Sequence, residues 1–336
     1  MKYSHIDFNN KTILILGGAG FIGSNLAFYF QKNYPEAKII VFDKFRNNEK
    51  FPSGNFKSLG HFKNLIGFKG IVICGDITKK EDLEYLNDYK IDYIFHMAAI
   101  SDTTAQDQEL VLKTNVNSFI DIIKLAKKNK APLVYASSGA VYGNSKTFKL
   151  GFEQPLNIYG FSKLMMDNIA QEYMKKLDIP IVGLRYFNVY GPREYFKQKS
   201  ASMVFQFAIQ LLKGEKARLF EGSDKIKRDF VYIKDVIQAT VKAACPKKSG
   251  IYNVGTGIAR SFQDIVDILK RELNIIRENE YIPNPYLKQY QFFTQADIED
   301  TKKYLDYAPR YSLEEGIKDY LPYIKEFYRE EYVESE

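Results

Sequence analysis

Through the first half of the chain, short apolar runs alternate with stretches whose apolar residues recur at helical spacing. The runs fall at Thr12–Leu16, 38–42, 70–74, Tyr93–His96, 133–136 and Ile181–Tyr186 and read as strands. They are continuously apolar rather than alternating, as in strands covered on both faces, so the expected sheet is parallel and flanked by helices. The clearest helical stretches are 21–32, 115–128 and 159–176. After Gly191-Pro192 the regularity is lost, and loops, short strands and helices mix. Residues 251–254 again read as a buried strand returning to the main sheet, and 313–332 as a surface-packed helix. The expected fold class is α/β, a Rossmann-type doubly wound parallel sheet with a smaller mixed α/β substrate-binding lobe. The boundary is expected near 188, with segments of 230–260 rejoining the 1–188 domain, and 189–336 forming mainly the lobe and a C-terminal helix.

Composition narrows this picture without redirecting it. The chain has 336 residues, 45% of them hydrophobic, enough for one nucleotide-binding domain and a smaller companion. The net charge of +7 is spread along the sequence, which speaks against nucleic acid and fits an anionic small substrate. The polar N-terminal stretch MKYSHIDFNNK and the lack of a long apolar segment imply a cytoplasmic protein with no membrane partner. Cys74 and Cys245 lie far apart, and His5, His61 and His96 are scattered, so neither a disulfide framework nor a metal site is expected.

The first strand runs into Gly17-Gly18-Ala19-Gly20-Phe21-Ile22-Gly23, a G-x-x-G-x-x-G turn opening a helix. Glycines are needed where backbone approaches a pyrophosphate, and the helix offers its positive end to the anion. Asp43, ending the second strand, stands at the spacing that reaches an adenosine ribose. The predicted cofactor is therefore a nicotinamide dinucleotide. Lys44, Arg46 and Lys50 could neutralise a 2'-phosphate and point to NADP, with NAD left open. Asp76-Ile77 is placed to touch the adenine, and Ala98-Ala99 to let the cofactor pass close to backbone.

Tyr159 and Lys163 stand four residues apart, so on a helix both project from one face. Oxidising a carbinol requires removal of its hydroxyl proton, and a phenol is a poor base at neutral pH unless a neighbouring cation favours the phenolate. Upstream, Tyr135-Ala136-Ser137-Ser138 closes an apolar strand and supplies hydroxyls to orient the same substrate oxygen.

The segments GGAGFIG, FHMAA, YASSGAVYG, YGFSK and RYFNVYGP resemble the extended short-chain dehydrogenase/reductases, the superfamily of sugar-nucleotide epimerases and dehydratases. ISDTT, RYFNVYGPRE, LFEGS with KRDFVYIKDV, GTGIARSFQ and QYQFFTQAD are similar, in content and order, to the branch that epimerises a nucleotide-activated heptose. That resemblance implies a homo-oligomeric enzyme working without net redox change. Bound NADP takes hydride, a ketone forms, and hydride returns to the opposite face. It further implies that Tyr159 and Lys197 share the acid/base work, with Lys163 supporting cofactor ribose and phenolate and Ser138 orienting the oxygen. By the same matching, Ser101 and Asn115 lie near the cofactor, while Asn188, Phe220, Glu221, Gly222, Ser223, Arg228 and Tyr290 line the sugar-nucleotide site. Arg228 suits a diphosphate through its paired donors. Lys199 stands where that branch usually has serine, and Gln206 where it has a substrate-contacting histidine.

Three rival functions differ in the residues they require. A 4,6-dehydratase needs carboxylates after the active-site serine, and here Gly139 and Ala140 follow Ser138. A hexose 4-epimerase needs only Ser138, Tyr159 and Lys163 and stays open. A non-catalytic dinucleotide-binding protein on the same fold has no need of both Tyr159 and Lys163.

Overall fold

The computed structural model describes residues 2–285 and 291–333. In chain order the first half contains β1 (Thr12–Leu16), α1 (Phe21–Asn33), β2 (Lys38–Asp43), β3 (Ile71–Cys74), α2 (Lys80–Glu84), β4 (Tyr93–His96), α3 (Gln108–Leu112), α4 (Ser118–Asn129), β5 (Leu133–Ser138), α5 (Ile158–Met174) and β6 (Ile181–Tyr186). There follow β7 (Asn188–Tyr190), α6 (Met203–Leu212), β8 (Arg218–Phe220), β9 (Lys227–Tyr232), α7 (Ile233–Lys242), β10 (Gly250–Val254), β11 (Ala259–Ser261), α8 (Phe262–Leu273), β12 (Glu280–Ile282), α9 (Glu299–Leu305) and α10 (Leu313–Tyr328).

The central sheet has seven strands in the order β10-β6-β5-β4-β1-β2-β3, all paired in parallel. The order in which successive strands are added reverses between β1 and β4, the place where a doubly wound sheet opens a crevice at its strand carboxyl ends. The strand read at 251–254 does rejoin this sheet, beside β6, with Ile251 opposite Gly183. Two small sheets, β11-β9-β7 and β12-β8, belong to the irregular second half.

The continuous apolar character of the inner strands is explained by their burial, whereas β3, at the sheet edge, is only partly covered and leaves Val72 exposed. Ile13, Leu14, Ile15 and Leu16 are fully enclosed and feed two cores, one on each face of the sheet. The predicted helix at 115–128 is instead a π-turn at 113–117 running into α4, and β5 extends two residues further than read, to Ser138. Among α10's residues, Leu313, Ile317, Tyr320, Leu321 and Ile324 are buried, so its inner face belongs to the core. Cys74 and Cys245 are free and exposed. Among the described residues no helix is long and apolar enough to cross a membrane, and no three His, Cys, Asp or Glu side chains cluster as metal ligands.

Candidate active site

A cleft of about 880 Å³ lies along the carboxyl ends of β1, β2, β4 and β5 and continues under residues 186–189 and 197–203. At its floor is the glycine turn. Gly17 has φ +80°, and a Cβ there would sit 2.5 Å from the Ala98 amide nitrogen; one on Gly23 would sit 2.2 Å from the Gly17 carbonyl oxygen. Gly20 differs, because its nearest protein neighbour would be 3.3 Å away. The outer glycines let the chain fold on itself, whereas the middle one leaves room on the cleft side. No side chain caps the first turn of α1, so its amides remain for an anion. These features fit a dinucleotide pyrophosphate.

Asp43 lines the cleft but is nearly enclosed, its Oδ2 accepting from Ala19 N at 2.9 Å and its Oδ1 from Phe45 N at 2.8 Å. Burial raises its carboxyl above the usual range, and these amides oppose that rise. Lys44 lines the cleft and pairs with Asp76 at 2.9 Å. Burial opposes ionisation of Asp76, yet hydrogen bonds from Thr78 and Lys44 outweigh it and hold the carboxyl low. Ile77, Ala98, Ala99 and Ser101 line the same cleft. Arg46 and Lys50 do not: both lie over the Phe56 ring, at 4.3 and 4.6 Å, and Arg46 donates to the Phe196 carbonyl. Asn115 is also set back. It is fully buried, bonding both backbone groups of Ile100 and donating to Ser162 Oγ, so it ties the ISDTT segment to α5.

Tyr159 opens α5, whose start is fixed by Asn157 Oδ1 accepting from Gly160 N at 2.8 Å. Burial raises the Tyr159 phenol, and a hydrogen bond with Ser138 opposes the rise. One turn on, Lys163 is 1% exposed, donates to the Ala136 carbonyl at 2.7 Å and lies 6.0 Å from the Tyr159 ring centroid. Burial brings its ammonium down to about 8, against the pull of Asp167. Ser138, Tyr159, Lys163 and Lys197 all line the cleft. Lys197 comes from the segment between β7 and α6, half-buried, with Nζ 5.5 Å from the Phe21 ring. Burial lowers its ammonium, and Glu194 opposes the fall.

Ser137 lines the cleft too, but its hydroxyl donates to the buried Asp167 at 3.0 Å instead of standing free for substrate. Asn188 is exposed on the cleft wall. The remaining expected substrate residues that the structure describes are not cleft-lining. Lys199 is exposed, and Gln206 is occupied in bonding the Lys199 and Ala201 carbonyls. Phe220 is half-buried, Glu221 and Gly222 are exposed, and Ser223 is buried with no hydrogen-bond partner for its Oγ among the described residues. Arg228 is buried, with its guanidinium 5.9 Å over Phe262, a ring that does line the cleft. Tyr290 lies outside the described residues.

Sequence reading passed over Asp167 and Arg185. Asp167 Oδ2 accepts from Arg185 Nε at 2.9 Å and Oδ1 from Tyr135 Oη at 2.9 Å. The available signal was spacing: Asp167 is four residues beyond Lys163, on the same helical face. Lys57, Lys113 and Asn117 also line the cleft and carried no motif that singled them out.

A phosphate-ready glycine turn at the switch point of a parallel sheet, leading to a tyrosine and a lysine on one helical face, defines a dinucleotide-dependent enzyme of carbinol chemistry. The chain belongs to the NAD dependent epimerase/dehydratase family, whose model matches residues 13–255. It is 37% identical over 319 residues to the ADP-L-glycero-D-manno-heptose-6-epimerase of Brachyspira hyodysenteriae, covering 92% of this chain and 96% of that one. The crystal structure of the Helicobacter pylori ADP-L-glycero-D-manno-heptose-6-epimerase superposes with a TM-score of 0.89 at 52% identity, covering 97% of this chain and 99% of that one. UDP-glucose 4-epimerase of Thermotoga maritima, solved with UDP-glucose, gives 0.82 at 26% identity, covering 94% and 99%.

Proposed function

We propose that the protein inverts the side-chain carbon, C6, of ADP-glycero-manno-heptose through a transient ketone, with NADP bound. One observation carries this reading: a single cleft holds Tyr159 with Ser138 and Lys163 on β5 and α5, and a second titratable group, Lys197, on a separate segment. The kinship with two proteins named as heptose 6-epimerases supports the same substrate.

When bound, the nicotinamide accepts and returns hydride. The protein's own residues manage the proton and the oxygen. Tyr159, assisted by Ser138, takes the carbinol proton in one half-reaction. Lys163 sits close enough for its cationic form to favour the phenolate and is tethered to Ala136, which keeps α5 and β5 in register. Rotation of the side-chain carbon carries the ketone oxygen to a different place before reduction. Lys197 gives that oxygen its proton, and the two groups exchange roles in the reverse direction. A hexose 4-epimerase, whose ring turns over in place, needs no second group.

Preference for NADP rests on Lys44 at the cleft wall. Cytoplasmic placement, a homo-oligomeric state and the absence of a nucleic-acid partner belong to the same reading, the last of them supported by the evenly spread charge.

Purified protein incubated with ADP- and GDP-linked glycero-manno-heptoses, with products separated by chromatography, tests the reading. Interconversion of the two C6 epimers is expected, faster with ADP. Inversion only of a hexose at C4 would overturn it. Lys197→Met should abolish heptose epimerisation while leaving cofactor content intact, and Lys199→Met should not; equal modest losses confined to KM would make Lys197 a binding charge.

A further inference from the structure

Lys197 rides on the segment joining β7 to α6, and that segment is folded around one carboxylate. Glu194 is fully buried. Its Oε1 accepts from Gly191 N at 3.1 Å and from Ser202 Oγ at 2.7 Å, and its Oε2 from Ser202 N at 2.6 Å. The side chain thus bonds both ends of its own loop, and Ser202 is in turn the N-cap of α6. Inside the loop the Glu194 carbonyl accepts from Lys197 N at 3.0 Å. Arg193 and Gln198 take φ values of +75° and +53°, conformations that side-chain-bearing residues hold only when their surroundings over-determine them.

The chain contains other buried carboxylates that staple backbone. Asp235 accepts from the amides of Arg310 and Tyr311, and Asp229 from those of Thr256, Gly257 and Ala296. Glu194 differs in that the cation it acts on lines the cleft. Its charge bears on the ammonium of Lys197, which lies in the cleft, and the Lys197 charge in turn leads the influences opposing Glu194's own desolvation. A loop staple has no need of a charge, because neutral groups can bridge a loop and burying an uncompensated charge is costly.

We infer that Glu194 is a positioning residue for Lys197: its carboxylate fixes the segment that carries this lysine into the cleft and lays a compensating negative charge beside it. This rests on Lys197 being the second proton-handling group. Other titratable groups surround the segment. Arg193, Tyr195 and Lys199 belong to it; Arg46, His61 and Lys63 reach Phe196 from the stretch before β3. Tyr320 of α10 faces Glu194, and burial together with the Glu194 charge pushes its phenol well up. None of these supplies the negative charge that Glu194 supplies.

The test labels lysines of the cofactor-loaded protein with an amine-reactive reagent across pH, read by mass spectrometry, with exposed Lys199 as reference for the reagent. In Glu194→Gln the labelling midpoint of Lys197 is expected to fall, by about one pH unit, because the opposite charge that holds its ammonium up is removed. Epimerisation should fall at least about tenfold in kcat, with KM changed far less. If Lys197→Met is inactive but Glu194→Gln leaves both midpoint and kcat unmoved, the inference about Glu194 is overturned and the role of Lys197 stands. If Lys197→Met epimerises normally, the role of Lys197 itself is lost. Should Glu194→Gln fail to fold, Glu194→Asp decides: retaining the charge one methylene short should hold the midpoint while kcat drops, and undiminished kcat would refute the positioning role.

Discussion

Ser137 and Ser138 are neighbours at the end of β5 with separate duties, because Ser137 donates to Asp167 at 3.0 Å while Ser138 is left to meet Tyr159. Asp167 therefore anchors the strand that presents Ser138 and the helix that presents Tyr159 and Lys163. Replacing it with Asn leaves buried Arg185 without one of its two carboxylates, Glu153 at 2.7 Å being the other. Asp167→Asn should cost about 3 kcal/mol of stability in urea unfolding, the scale for breaking one partner from a buried ion pair.

Tyr159→Phe removes one oxygen from the cleft and leaves the fold unchanged. Turnover is expected to fall by about a hundredfold or more, with bound cofactor retained, as measured by steady-state kinetics and by the nucleotide released on denaturation. Near-normal turnover across the pH range would exclude the phenol from the chemical step.

The glycine turn separates folding from binding. Gly20→Ala has to displace the Gly17 carbonyl by only a few tenths of an ångström, so the protein should fold but release its dinucleotide on dialysis. Gly17→Ala combines a positive φ with a 2.5 Å encounter with Ala98, and should lower the thermal midpoint with or without cofactor. Equal behaviour of the two variants would contradict the division of labour among the glycines.

His96 is buried against Phe119, with both ring nitrogens lacking a partner among the described residues, and burial together with the Lys163 charge pushes its pKa down to about 3. Its folded value lies below its unfolded one, so the unfolded chain binds the extra proton. The stabilisation it contributes is present above pH 6.5 and is lost as pH falls toward 3. Between pH 6.5 and 5 that loss amounts to roughly 2 kcal/mol. His96→Phe should flatten the pH dependence of urea unfolding over that interval by this amount, and an unchanged slope would show that the imidazole is already charged or solvated.

Cofactor choice can be dissected by side chain. Lys44→Ala should narrow the ratio of NADP to NAD affinity, whereas Lys50→Ala, whose ammonium rests on Phe56, should leave that ratio alone. A ratio indifferent to Lys44 would remove the basis for preferring NADP.

The parts of the molecule legible in sequence are those governed by local repetition. Uninterrupted apolar runs such as Thr12–Leu16 declare a strand covered on both sides, and Gly17 to Gly23 declares the turn that follows. Tyr159 and Lys163 were readable because helical spacing alone puts them together. Glu194 and Asp167 were not, since each draws its meaning from partners brought near by folding: Ser202 in one case, Arg185 and Tyr135 in the other. Arg46 shows the converse. Its position near Asp43 in sequence suggested a phosphate ligand, yet its guanidinium is turned to Phe56 and the Phe196 carbonyl.

The seat of β10 beside β6 has a consequence for synthesis. Val182 to Tyr186 gain their outer ladder only from Gly250–Val254, more than sixty residues later along the chain. A nascent polypeptide emerging from the ribosome thus presents the whole glycine turn and the Tyr159 helix while β6 is still an open, adhesive margin. Fragments ending near residue 190 should clump, and adding the missing C-terminal piece in trans should rescue them.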